Sequence, residues 1–208
     1  MRRQSSQTRF PAILLIILLG LLVWSGWAPR DRPTWWLEVS PILIAVPILI
    51  ATRRRFPLTP LTYFLIFVHA LILMLGGHYT YEHVPLGNWV RDALHLERNP
   101  YDRLGHLAQG FIPALVTREI LLLCSPLRRG GWLFFLVTCV CLAISASYEL
   151  LEWAVAVLIG QGANAFLGTQ GDIWDTQWDM LCALIGAIFA QLSLAAFQDR
   201  QLAARDRP

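Results

Sequence analysis

Asp102 and His106 stand four residues apart in the stretch Asn99–Glu119, NPYDRLGHLAQGFIPALVTRE. On a helix this spacing puts a carboxylate and an imidazole on one face, with Gln109 and Pro113 further along it. Tyr148–Trp153 and Gly171–Asp179 bring further acids: Glu149 and Glu152 at i, i+3, then Asp172, Asp175 and Asp179 at i, i+3, i+7. Histidine with carboxylates can hold a divalent metal ion, leaving a position where water is activated to hydrolyse a phosphate, ester or amide. Ligation this rich in oxygen suits Mg²⁺, Mn²⁺ or Ca²⁺ better than a closed zinc site. His106 is the first candidate for ligand or base, and Asp102 for its orienting partner or co-ligand. Glu149, Glu152 and Asp179 are candidates for ligands or general acid/base, and Asp175 joins them as a metal ligand. The same groups can instead relay protons, bind a transported cation, or form a hydrogen-bonded network that fixes helix register. No HExxH, GxSxG or P-loop motif narrows the choice.

The elements that must carry these residues are membrane helices. The 208-residue chain is 56% hydrophobic and only 15% charged, which is outside the range of a soluble domain. Its mean hydropathy of +0.50 and several long apolar runs indicate a polytopic membrane protein, read as one integral domain over residues 1–208. All 17 basic residues are Arg, and they fall in loops and at helix ends without a basic stripe, so nucleic acid is not an expected partner. Cys124, Cys139, Cys141 and Cys182 lack metal-binding spacing and are expected to be small buried hydrophobes.

Six spans follow in order. Arg2, Arg3 and Arg9 precede an apolar run from Pro11 to Trp27, too long for a signal-peptide core and without a small-residue cleavage site. Trp36–Ala51 is the second span, interrupted by Pro41 and Pro47, with Trp35 and Trp36 at the interface. Thr59-Pro60 caps the third, Leu61–Leu75, and Gly76-Gly77 is expected to break it. The polar linker His78–Asn99 contains an amphipathic stretch, Asn88–Arg98, that reads as a short interfacial helix. Tyr101–Cys124, Trp132–Ile159 and Asp172–Phe197 complete the bundle, with Gly160–Thr169 as a loop. The fold class is therefore an all-α membrane bundle of six helices. Arg53, Arg54, Arg55, Arg128, Arg129, Arg200, Arg205 and Arg207 join the N-terminal arginines on one side, which places both termini in the cytoplasm. The candidate residues then gather at the outer ends, and the functional half is residues 78–197.

Simpler roles are available for several of these residues. Asn99 reads as the N-cap of the fourth span with Pro100 in its first turn, and Asp172 with Asp175 as a cap and first-turn acid. Glu149 or Glu152 could pair with Arg103. His83 and His95 read as loop histidines, and Trp174 and Trp178 as an interfacial belt. Arg118-Glu119 is expected to snorkel to the inner surface. These roles leave unexplained why Asp102, His106, Glu149, Glu152 and Asp179 share one depth. An isolated carboxylate at mid-membrane costs about 2.5–3.5 kcal/mol, so such groups pair, face a cavity or serve a function.

GGHYTYEHVPLG (Gly76–Gly87), NPYDRLGHLAQGF (Asn99–Phe111), SYELLEW (Ser147–Trp153) and QGDIWDTQWDM (Gln170–Met180) together resemble the YjdF family of bacterial inner-membrane proteins, defined by a domain of unknown function. The resemblance implies an inner-membrane location and supplies no activity. The later half is also similar to VanZ-like membrane proteins, linked to glycopeptide resistance, through Asp102-Arg103 with His106, Glu149 with Glu152, and Asp179 with Gly186. It departs from them at Glu152, where Gln is expected, and at Cys182, where Asn is. That similarity implies one shared site and a cell-envelope role. The residues thus point to an outward-facing acidic and histidine site, metal-dependent and acting on a lipid or envelope substrate. A small cation or proton transporter, or a non-catalytic accessory protein, are the alternatives.

Overall fold

A computed structural model describes residues 2–159 and 167–205, all-helical apart from turns. The helices are α1 (Arg2–Ser25), α2 (Arg32–Thr52), α3 (Pro60–Tyr79), α4 (Pro85–Leu94), α5 (Tyr101–Cys124), α6 (Gly131–Ile159) and α7 (Asp175–Arg205), with a 3₁₀ turn at Tyr81–His83. Five of them, α2, α3, α5, α6 and α7, are long and apolar enough to cross a bilayer, and the apolar part of α1, Arg9–Ser25, is shorter. About six helices therefore span the membrane, as the apolar runs predict.

Local signals account for most helix starts. Asp31 accepts a hydrogen bond from Thr34 N at 2.8 Å with Pro33 in the first turn, so α2 begins several residues before Trp36. That earlier start places Trp35 inside the bundle, its indole donating to Ser25 Oγ at 3.1 Å, while Trp36 stays exposed. Thr59 caps α3 through Thr62 N, with Pro60 following, as expected. The interfacial helix lies earlier than Asn88–Arg98: Pro85 opens it, and His95, at φ 53°, closes it.

Gly76-Gly77 does not break α3, which runs on to Tyr79. The two glycines make room instead. A Cβ at Gly76 would stand 2.5 Å from the Tyr81 ring, and one at Gly77 would stand 3.1 Å from Glu38 Cβ. Of the four cysteines only Cys141 is buried; Cys124 and Cys139 lie on exposed helix faces and Cys182 is half-buried, so the expectation of buried thiols fails for most of them.

Two three-helix groups make up the bundle. α1 and α2 both pack on α3, while α6 packs on α5 and α7; α3 against α5 joins the groups. The most extensive interface is α5 with α7. It is close because both helices present glycine at the crossing: a Cβ on Gly110 would fall 1.8 Å from Ala183 O, and one on Gly186 would fall 2.1 Å from Leu107 O. Below this crossing Ala114, Leu115, Val137, Cys141, Ala187 and Ala190 form a fully buried apolar layer.

At the end of the bundle bearing the C-terminus of α5, Arg118 and Glu119 do not snorkel. Glu119 is fully buried and accepts from Thr59 N at 2.7 Å, Thr59 Oγ1 at 2.9 Å, Thr62 Oγ1 at 2.7 Å and Gln198 Nε2 at 3.3 Å. Arg118 donates to Gln198 Oε1 at 2.9 Å and to Asp199 Oδ2 at 3.0 Å. The partners exist because α7 continues past Phe197 to Arg205.

Two predictions follow from this architecture. Gln198 is buried, so sidedness is best read at exposed Asp92 and Arg54. In a cysteine-free background, Asp92→Cys should be labelled from outside intact spheroplasts and Arg54→Cys only after lysis; labelling from one side would discard the orientation. Gly186→Ala should force α5 and α7 apart and cost about 1–3 kcal/mol, read as a lower unfolding temperature in detergent.

Candidate functional site

The start of α5 is held by side chains that imitate backbone. Asn99 Oδ1 accepts from Tyr101 N at 3.0 Å, and its Nδ2 donates to Glu82 O and Val84 O, each at 3.1 Å, and to Asn88 Oδ1 at 3.0 Å. The N-cap position is Pro100, without a side-chain cap bond, so Asn99 is not the N-cap expected; it lies one residue earlier and closes a turn onto Tyr101 N. Gln170 pairs with the Asn99 backbone at both ends of its amide, 2.9 Å to the N–H and 3.1 Å to the carbonyl. This ties the segment before α7 to the segment before α5.

One turn in, His106 meets three acids. Its Nε2 lies 3.6 Å from Asp102 Oδ1 and 3.8 Å from Asp179 Oδ2, while Nδ1 lies 3.7 Å from Glu149 Oε1. Those separations are too long for direct hydrogen bonds. The close partner of the ring is Gln109 Oε1, 3.0 Å from Nδ1. When Nδ1–H donates to Gln109, Nε2 presents a lone pair toward two carboxylates, and three acceptors converge on one point. One ligand atom each from Asp102, His106 and Asp179 lies within 4.8 Å of the others. Two carboxylate oxygens at this cluster, Glu149 Oε1 and Asp179 Oδ1, are buried without a hydrogen-bond partner, on residues only 7% and 2% exposed. Convergent acceptors and partnerless oxygens are the kind of donor set that a cation would require.

The remaining candidates divide. Glu152 is buried beside Glu149 on α6, within electrostatic reach of Asp102 and Asp179. Asp175 forms an ion pair with Arg98, within electrostatic reach of Asp102, Glu149 and Asp179. Arg98 also donates to Asp102 Oδ2 and to Gly168 O, each at 3.2 Å. Burial works against its charge, but the hydrogen bond it donates to Asp175 and the field of Asp175, Asp102 and Asp179 raise its pKa above the ordinary guanidinium value. Asp172 is not the helix cap, since α7 begins at Asp175. It holds the preceding turn, accepting from Trp174 N at 2.9 Å, and pairs with Arg103 at 2.7 Å. Arg103 thus serves Asp172 instead of Glu149 or Glu152, and its guanidinium stacks over Trp178, 5.2 Å from the ring centroid. Trp174 and Trp178 are both exposed, as an interfacial pair would be.

Glu38 is the residue that sequence reasoning missed. It is 2% exposed on α2, and Tyr148 Oη donates to its Oε2 at 3.3 Å. Tyr148 in turn sets its ring edge against His106, 6.3 Å between centroids. Tyr81, seated between Gly76 and Gly105, lies within electrostatic reach of Glu38. The signal was present: Glu38 is the one carboxylate within an otherwise apolar span, Arg32–Thr52. Of the linker residues, His78 bonds Ser25 O at 2.9 Å and stacks on Trp24, and His83 pairs with Glu82, so neither joins the cluster.

The chain matches, over residues 10–200, the family described as Predicted membrane protein (DUF2238), and it belongs to that family. It is 54% identical to Inner membrane protein YjdF of Escherichia coli (strain K12) over 200 residues, 95% of this chain and 96% of the relative. No solved structure matches it. The chain is a multi-pass protein of the bacterial inner membrane, and the resemblance to YjdF is established, whereas the VanZ-like similarity rests on its motif alone.

The Arg98 hub generates a stability prediction. Arg98→Met strips the partner from two buried carboxylates and should cost about 3–5 kcal/mol. Asp172→Asn keeps the acceptor for Trp174 N and should cost less than half as much. Thermal unfolding in one detergent compares them directly, and equal losses would contradict the central place given to Arg98.

Proposed function

We propose that this member of the DUF2238 family holds a divalent cation between Asp102, His106 and Asp179 and acts with it on a lipid or other cell-envelope substrate. The observation that carries the reading is the convergence of three ligand atoms within 4.8 Å beside two buried carboxylate oxygens that lack partners. When bound, the cation would supply a Lewis acid and lower the pKa of a water molecule.

The protein's own groups have distinct parts in this proposal. Gln109 fixes the His106 ring so that Nε2 faces the cation. Arg98 orients Asp102 from the opposite oxygen. Glu149 stands at the Nδ1 side of His106, with Glu152 one turn on along α6, where a general acid or base would work. The arginine bias puts this end at the periplasmic surface, and the functional half at residues 78–197, with Glu38 reaching in from α2. The close-packed layer from Ala114 to Ala190 separates the site from the other membrane face, which favours a one-sided site over the transporter reading.

The test is cation retention by purified protein, measured by elemental analysis and by titration with Mn²⁺. Wild type should bind one divalent cation; Asp102→Asn, His106→Ala and Asp179→Asn should each abolish binding while inserting normally. Gln109→Leu should weaken it about 10–100-fold, the usual effect of losing an outer-shell partner. Adding Glu149→Gln to His106→Ala should change nothing further, because ligands of one site are not additive. Wild-type protein that binds no divalent cation would remove the metal-dependent reading, leaving proton coupling or an accessory role.

A further inference from the structure

We infer that Glu38 and Tyr148 are a positioning pair through which the group α1, α2 and α3 sets the orientation of the His106 ring; this rests on the cation reading above. Glu38 is the single carboxylate of the apolar span α2, yet it is only 2% exposed. A carboxylate in such a place is costly, so it needs a partner or a task. Its seat is prepared by α3, where Gly77 leaves the room beside it: a Cβ there would stand 3.1 Å from Glu38 Cβ. α2 packs on α3, whereas α6 packs on α5 and α7. The hydrogen bond that Tyr148 Oη donates to Glu38 Oε2, at 3.3 Å, therefore ties one three-helix group to the other.

The other end of that tie is the imidazole. Tyr148 packs edge-on against His106, with 6.3 Å between ring centroids and 74° between planes. Gln109 holds Nδ1 at 3.0 Å, but one hydrogen bond fixes one ring atom, and χ2 of histidine is a broad torsion. The plane of the ring is fixed when a second contact opposes its rotation. A phenol anchored by α6 at one end and by Glu38 at the other is a rigid stop of that kind. An ionised carboxylate only accepts, which keeps Tyr148 the donor and its ring in one place. Glu38 also lies within electrostatic reach of Asp102 and Glu152, so a role as remote charge has to be separated from positioning by experiment.

The full chain labelled with ¹⁵N-histidine, purified in detergent, gives a readout that needs no metal. The His106 ring signals, identified by their loss in His106→Ala, report which nitrogen carries the proton. Wild type should show a single tautomer with Nε2 unprotonated. Tyr148→Phe keeps the ring without the hydroxyl, and Glu38→Leu keeps the span apolar; each should split or broaden those signals. Both should weaken Mn²⁺ binding by the same factor, about 10-fold, and the double variant should bind no worse than either single one. Glu38→Gln keeps an acceptor for the phenol and should restore most of both readouts. Ring signals and Mn²⁺ binding unchanged in Tyr148→Phe and Glu38→Leu, with only the unfolding temperature lowered, would reduce the pair to a structural tie and overturn the inference. Glu38→Gln no better than Glu38→Leu would assign the effect to charge and overturn it as well. Altered ring signals in variants of a protein that binds no Mn²⁺ would keep the positioning pair and remove the cation.

Discussion

The site depends on how closely α5 and α7 approach. Asp102 and His106 stand on one helix and Asp179 on the other, so their convergence is a matter of interhelical distance. Gly110 against Ala183 and Gly186 against Leu107 bring the backbones together about one turn from those side chains. In lipid no hydrophobic force drives helices together, so small residues and dispersion must do it. A methyl group at either glycine would widen the gap across which Asp102, His106 and Asp179 converge. The apolar layer beneath, Ala114 to Ala190, extends that close packing and gives the acidic end a rigid floor.

Assembling seven carboxylates near one end of a membrane bundle has an electrostatic cost, and the loops before α5 and α7 offset part of it. Arg98 contacts Asp102, Asp172 and Asp175, and Arg103 contacts Asp172. Gln170 on the Asn99 backbone holds the two loops in register so that these pairs can form. The compensation stops at the rim. Glu38, Glu149, Glu152 and Asp179 lie deeper, and no arginine forms an ion pair with any of them among the described residues. The outer acids thus have arginine partners, and the inner ones do not.

Much of this could be read from residue order because the signals are local. Helical spacing placed Asp102 under His106, Pro and Thr marked the start of α3, and apolar length defined the spans. The misses share one cause: they depend on what a neighbouring helix presents. Gly76-Gly77 looks like a break until Tyr81 and Trp35 are seen filling the space beside it. Arg118-Glu119 looks like a surface pair until the extended α7 supplies Gln198 and Asp199. Glu38 was hidden by its position in the half of the chain that carries no histidine–carboxylate motif.

The bundle contains its own control for what a buried carboxylate means. Glu119 is on α5, as Asp102 is, and is buried at least as deeply, but toward the opposite membrane face. Its oxygens accept from a backbone N–H, two threonine hydroxyls and a glutamine amide, all neutral donors aimed at the charge. Such an arrangement holds an anion in place and requires no further ligand. At the other end, Asp179 and Glu149 each keep a buried oxygen with no donor. A fold able to satisfy Glu119 so fully was able to place donors on Asp179 and Glu149 as well. Those oxygens stay open on either side of the His106 ring, and this difference from Glu119 is what supports the proposal of a binding site over a purely structural network.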